Sequence, residues 1–187
     1  LTTRAEPPRL TLAGPLTARC VVLVPVYNED PLTTFSRVSA MDESLHATGY
    51  GHLFHIAILS DTRNDAIAAR ERLWFLRLLK DRAAEGRMFY RRRTDNKGKK
   101  AGNIEDFIQK SGAAYDLALI LDADSLMEGA TIVEMARRME AEQDIGLLQT
   151  LPVVTRASTR FGRAMQFSAA FHSPAFARGL AMMQGRS

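Results

Sequence analysis

Leu117-Ala118-Leu119-Ile120-Leu121-Asp122-Ala123-Asp124 runs from an unbroken apolar segment directly into two carboxylates. A short apolar run of this kind reads as a strand buried on both faces, as in parallel sheets. The carboxylates then fall where the strand meets solvent. Residues two apart in an extended chain point to the same side, so Asp122 and Asp124 can approach one divalent cation while Ala123 turns its methyl the other way. Hard cations such as Mg²⁺ or Mn²⁺ take oxygen ligands and bridge a carboxylate to substrate phosphates. A surface turn carrying two acids has the same residues, and the rest of the chain must decide between the two.

Outward from this stretch the pattern repeats. Residues 20–26, 54–60, 88–92 and 145–150 also read as strands, and all but 88–92 are mainly apolar. Between them Phe35, Val38, Met41 and Leu45 recur at helical spacing over 32–47. Ile67, Trp74, Phe75, Leu78 and Leu79 form a second stripe, and Ile132, Met135, Ala136 and Met139 a third. A further helix is expected to begin near Gly102. The alternation predicts an α/β, Rossmann-like layered fold with a mostly parallel central sheet and right-handed crossovers. Pro7, Pro8 and Pro15 mark residues 1–19 as an irregular segment packed loosely on the domain that follows.

At 187 residues, 46% hydrophobic and 25% charged, the chain has the make-up of one soluble globular domain rather than a disordered or fibrous one. Cys20 is the single cysteine, which excludes an internal disulfide and points to a reduced, buried thiol in a cytosolic compartment. No apolar run approaches the roughly 18–20 residues of a membrane span, and no signal-peptide pattern opens the chain. Without an initiating Met, and ending at Gly185-Arg186-Ser187, it is expected to be a piece of a longer protein.

The net charge of +4 is concentrated in Arg91-Arg92-Arg93 and in Lys97, Lys99 and Lys100, which implies an anionic partner. Without interleaved aromatics or a groove-reading helix, a phosphorylated small molecule fits better than nucleic acid. A solvated basic loop is the plainer account.

Ligands of open α/β sheets bind outside the carboxyl ends of the strands, near the point where strand order reverses. Three predicted strands end in polar residues there: Pro25-Val26-Tyr27-Asn28-Glu29, Ser60-Asp61-Thr62 and Asp122-Ala123-Asp124. Tyr27 offers a flat face to a base, and Asp61 can accept a hydrogen bond from a ring N–H or serve as a helix cap or Asx turn. Glu29 can hold a base or ribose group, or cap the next helix. Lys97-Gly98-Lys99-Lys100-Ala101-Gly102-Asn103 sets positive charge and two glycines before a helix, where backbone N–H groups and a lysine can meet a phosphate. It is neither a Walker A loop nor a Gly-x-Gly-x-x-Gly fingerprint. His46, His52, His55 and His172 lack metal-ligand spacing and read as structural or exposed. Phe161, Met165, Ser168, Phe171 and Ala175 share a helical face over 160–176, for which burial in the domain is a simpler reading than a membrane interface.

Together with Gln149-Thr150-Leu151-Pro152, these motifs resemble in order and spacing the family 2 glycosyltransferases over residues 20–152. More narrowly, Leu59-Ser60-Asp61-Thr62, the run from Gly102-Asn103-Ile104 through Asp106-Phe107, and Leu121-Asp122-Ala123-Asp124-Ser125 are similar to members that make osmoregulated periplasmic glucans. That likeness continues through Met165-Gln166-Phe167. The resemblance implies a GT-A fold over 20–187, truncated on its C-terminal side. It also implies an inverting hexosyltransferase that moves glucose from UDP-glucose to a growing β-glucan acceptor.

By the same resemblance Tyr27, Glu29 and Asp61 serve the uridine and Lys100 the donor pocket. Asp122 and Asp124, as a DxD motif, hold the donor diphosphate and its Mg²⁺ or Mn²⁺. The setting it implies is a cytoplasmic domain of a bacterial inner-membrane protein whose transmembrane regions lie outside this sequence. A cellulose-like synthase and a non-catalytic nucleotide-sugar-binding module are the alternatives. The chain departs from the family in lacking its later aspartate base and its Gln-x-x-Arg-Trp motif; Trp74 is the only tryptophan. Glu128, Glu140 and Glu142 have no context that makes any of them the base, which is expected beyond Ser187. The chain is accordingly expected to bind donor without full turnover.

Overall fold

A computed structural model describes residues 14–142 and 144–150. The chain divides into two compact units, Leu1–Gly146 and Leu147–Ser187, and the sheet, its helices and the cleft all belong to the first. Its elements are β1 (Cys20–Val26), α1 (Pro31–Ala47), β2 (Phe54–Ser60), α2 (Asp65–Arg82), β3 (Met88–Arg92), α3 (Lys99–Ser111), β4 (Leu117–Ile120) and α4 (Gly129–Ala141). All strand pairs are parallel, in the order β3-β2-β1-β4. Val26 lies opposite Ser60, Ser60 opposite Arg92, and Leu23 opposite Ile120. The α/β layout with a parallel sheet is the one expected from the alternating runs.

Every residue of β1 is buried, which is why its sequence shows no polar alternation. One face of the sheet, carrying Val22, Val24, Ile56 and Ile58, packs in a large cluster with Phe35, Val38 and Leu45 of α1, Leu78 of α2 and Ile132 and Ala136 of α4. The opposite face, with Val21, Leu23, Ala57 and Leu59, packs on Phe107 of α3. Each fully buried aliphatic side chain contributes on the order of 1.5–3 kcal/mol.

Helix starts follow local chemistry. Asp30 caps α1 by accepting the Thr33 N–H, with Pro31 in the first turn, and Asn64 caps α2 through the N–H groups of Ala66 and Ile67. A Cβ added to Gly129 would lie 2.4 Å from the backbone C and O of Ser44, so glycine is what lets α4 approach α1. Asp42, almost fully buried on α1, receives Arg82 from the end of α2 and Arg87 from the approach to β3.

Three expectations change. Residues 145–150 form no strand; the Ile145 N–H instead closes a turn onto the Glu142 carbonyl at 3.0 Å. An apolar run becomes a strand only when a partner ladder takes up its backbone groups, and its own sequence does not reveal that partner. Helix α3 starts at Lys99, earlier than Gly102, because Gly98 supplies the left-handed N-cap (φ 71°). Nor are residues 14–19, the described part of the segment before β1, loosely packed. Leu16 and Ala18 are buried in the main cluster, and Glu140 of α4 accepts the N–H groups of Thr17 and Ala18. The stretch 160–176, His172, and Leu151 and Pro152 lie outside the described residues. Among the described residues no helix is long and apolar enough to cross a membrane.

Cys20 is buried, and that burial, followed by the charges of Asp116 and Glu140, pushes its thiol from 9.0 up to about 12. A thiolate is the reactive form, so the folded chain at pH 8 is expected to resist a thiol reagent that labels the urea-unfolded chain fully. Because the folded value is the raised one, its contribution to stability is complete below pH 9 and is lost as pH climbs toward about 12. Prompt stoichiometric labelling of the native chain would contradict this placement.

Candidate functional site

Strand order places β1 between β2 and β4, so the path reverses direction between β1 and β4. Open α/β sheets bind ligands outside the carboxyl ends of their strands at such a reversal. A cleft of about 710 Å³ opens there, lined by Tyr27, Glu29, Asp61, Arg63, Asn96, Lys99, Lys100, Asp122 and Asp124. All six residues singled out for donor and metal binding therefore line one cavity.

Asp61 is 6% exposed and follows β2 directly. Arg93 grips both of its carboxylate oxygens, with Nη2 donating at 2.9 Å, and Asn103 of α3 donates to Oδ1 at 3.0 Å. The bonds to Asp61 raise the Arg93 guanidinium above its ordinary value. Asn103, fully buried, also donates to the Leu59 carbonyl and accepts from Arg91. Asp61 is thus neither a helix cap nor an Asx turn; the cap of α2 is Asn64.

After β1 the chain turns through Asn28 at φ 59°, a left-handed value that asparagine tolerates better than most residues. Tyr27 is 52% exposed in the cleft, and the Glu29 carboxylate folds back to accept the Tyr27 N–H. Glu29 does not cap α1, since Asp30 holds that position. Beyond β4, Asp122 and Asp124 are exposed while Ala123 is buried at 8%, the alternation read from the sequence. Lys100 in the first turn of α3 forms an ion pair with Asp122. The N-terminus of α3 carries no side-chain cap, which leaves first-turn N–H groups beside two lysines, an arrangement suited to anions.

Two exposed carboxylates lining one cleft just past a strand, Asp122 paired with Lys100, suit a hard cation that draws its remaining ligands from water and a phosphorylated substrate. Among the described residues no group of three or more His, Cys, Asp or Glu side chains could hold a metal by itself. The donor set therefore fits a cation shared with a ligand better than a resident protein-only site.

Glucans biosynthesis glucosyltransferase H from Cereibacter sphaeroides is 71% identical over 182 residues, 97% of this chain and 31% of that protein. Proteins of the same name from Shewanella oneidensis and Shewanella baltica are 46% identical over 165 residues, 88% of this chain and 23% of theirs. The chain belongs to the family 2 glycosyltransferases. It spans less than a third of the length of these curated relatives, and no family model matches it.

Within the chain the arginine run is not a free basic patch. Arg91 pairs with Asp106 and bonds Asn103, Arg92 bonds the Thr62 carbonyl and Asp65, and Arg93 holds Asp61. Of the six basic residues that implied an anionic partner, Lys99 and Lys100 line the cleft. Glu140 sits at the amino end of β1, bonded to Thr17 and Ala18, and the cleft is at the carboxyl end. Its position removes it as a base for chemistry in the cleft. His55 stacks edge-on with Phe89 and Tyr115 and bonds the Tyr115 hydroxyl at 3.0 Å, in keeping with its structural reading.

Residues that sequence reasoning missed are Arg93 as the partner of Asp61, Asn103 as its second donor, and Glu71 beneath both loops. Glu71 had a signal. It falls four residues after Ile67 and four before Phe75, a charged side chain inside an apolar helical stripe, and such a residue is buried only when it has partners.

Proposed function

We propose that the cleft is the donor half of a glucosyltransferase site, which binds UDP-glucose and, in the whole protein, passes glucose to a growing β-glucan with inversion. The observation that supports this reading is the meeting of Tyr27, Glu29, Asp61, Lys100, Asp122 and Asp124 in one cleft at the strand-order reversal. Tyr27 gives a face to the uracil ring, and Asp61, held by Arg93 and Asn103, accepts its ring N–H. Glu29, released from the Tyr27 N–H, reaches the ribose side. Asp122 and Asp124 would hold Mg²⁺ or Mn²⁺, which when bound offsets charge gathering on the departing diphosphate. Lys100, freed from Asp122, meets the phosphates beside the uncapped start of α3.

Inversion needs a base for the acceptor hydroxyl. Asp61 is committed to Arg93 and Asn103, Glu29 to the ribose side, and Asp122 and Asp124 to the diphosphate and its metal, so the base is assigned to none of the four cleft carboxylates. The names of the relatives support a glucan product, and we place the domain on the cytoplasmic side of an inner membrane, where UDP-glucose is made.

Calorimetric titration with UDP and UDP-glucose, with and without Mn²⁺, tests the reading. Mn²⁺ is expected to tighten UDP binding by about tenfold, ~1.4 kcal/mol. Asp122→Ala and Asp124→Ala are expected to remove that gain, with the metal-free affinity nearly unchanged in Asp124→Ala and raised in Asp122→Ala, which releases Lys100. Binding that ignores Mn²⁺, or an Mn²⁺ effect that survives both substitutions, would sink it.

A further inference from the structure

Glu71 lies on the inner side of α2, is 2% exposed, and accepts three hydroxyl hydrogen bonds: from Ser60 at 2.7 Å, Thr62 at 2.5 Å and Tyr90 at 2.8 Å. No ion pair to Glu71 occurs among the described residues. Burial, with a further push from the bond to Glu71, moves the Tyr90 phenol up to about 12, so it stays a donor.

Ser60, Asp61 and Thr62 continue the extended path of β2, in which side chains alternate in direction. Ser60 and Thr62 point down to Glu71; Asp61, between them, points into the cleft. Holding the two neighbours fixes the direction of the third. The hold extends to the other loop. A hydroxyl has one proton and two lone pairs. Because Thr62 spends its proton on Glu71, it presents a lone pair to the Asn28 N–H, which it accepts at 2.9 Å. Asn28 in turn accepts the Asn64 N–H at 3.2 Å. One carboxylate thus sets the left-handed turn that carries Tyr27 and the strand end that carries Asp61.

We propose that Glu71 is a positioning residue for nucleobase recognition, presetting Tyr27 and Asp61 through Thr62 and Ser60 without touching the ligand. The proposal rests on the donor reading above. Its chemical consequence is discrimination: uracil offers a ring N–H at N3 that Asp61 can accept, whereas cytosine presents a bare acceptor nitrogen there. Loosening Asp61 weakens UDP more than CDP.

The test compares UDP and CDP affinities of the 187-residue chain with those of Glu71→Gln and Thr62→Val, both close in shape to the originals. Amide hydrogen exchange at Asn28 is followed without ligand. Wild type is expected to prefer UDP, both variants to lose about tenfold of that preference, and Asn28 to exchange faster. Equal losses for UDP and CDP would mean a structural role only, and an unchanged preference would overturn the proposal outright. A wild-type chain that binds neither nucleotide refutes the donor reading itself. The exchange measurement then decides for Glu71 alone: Asn28 protection unchanged in Glu71→Gln overturns its hold on the loop.

Discussion

Arg93→Met is expected to lower the unfolding free energy by about 3–5 kcal/mol, the range for leaving one member of a buried ion pair without its partner. The side chains of Arg93 and Asp61 are 14% and 8% exposed, so water cannot replace the guanidinium at both carboxylate oxygens. Asn103 still donates to Oδ1, which places the loss toward the lower end. Arg93 also donates to the Lys99 carbonyl at 2.7 Å, so the same substitution frees the start of α3.

A urea titration should show the reduced midpoint, and UDP binding of the folded variant should weaken with it. Arg93→Lys keeps the charge but not the two-pronged geometry and is expected to recover only part of either. The informative comparison is the double variant Arg93→Met, Asp61→Asn. With the charge gone from both members, stability should return partly while UDP affinity does not. A single variant as stable as wild type would show that the pair holds nothing.

The second large effect lies at the other end of the sheet. Asp42 has a side chain 2% exposed between Arg82, whose Nε donates at 2.9 Å, and Arg87, whose Nη2 donates at 3.2 Å. It ties α1 to the end of α2 and to the residue before β3. Asp42→Ala would leave two partly buried guanidinium groups facing each other, at a cost of about 3–5 kcal/mol. Asp42→Asn keeps the volume and one acceptor and should cost less. Because Asp42 is remote from the cleft, UDP affinity of the folded Asp42 variants should match wild type, in contrast to Arg93. Urea unfolding paired with UDP titration separates the two: a loss of affinity at Asp42 would refute the division between anchoring and recognition.

Much of the fold was legible because the signals are local. The runs at 20–26, 54–60 and 88–92 became β1, β2 and β3 with those bounds, each being apolar or β-prone and closed by turn-forming residues. The α1, α2 and α4 stripes were legible for the same reason. The run at 145–150 has the composition of a strand and forms none among the described residues, since pairing depends on a neighbour and not on composition. Asp122-Ala123-Asp124 was legible because an apolar strand must end somewhere and its polar residues mark that end. β4 itself is an edge strand with Ala118 and Ile120 exposed, not buried on both faces as its composition implied, because only β1 pairs with it. Arg91-Arg92-Arg93 misled for the converse reason: a charge cluster in sequence says nothing of the carboxylates that neutralise it in space.

Sequence alone therefore determined the segments that became β1 to β4 and the helices between them, though not that 145–150 would stay unpaired, and which polar residues stand at strand ends. Those are matters of periodicity and of where an apolar run stops. Only the tertiary structure decided the order β3-β2-β1-β4, which brings Tyr27, Asp61 and Asp122 to one cleft, and the pairings of Asp61 with Arg93 and of Glu71 with Ser60, Thr62 and Tyr90. The physical reason is that a buried charge or hydroxyl is satisfied by whatever the fold carries within hydrogen-bond reach, and its partners here come from other elements of the chain.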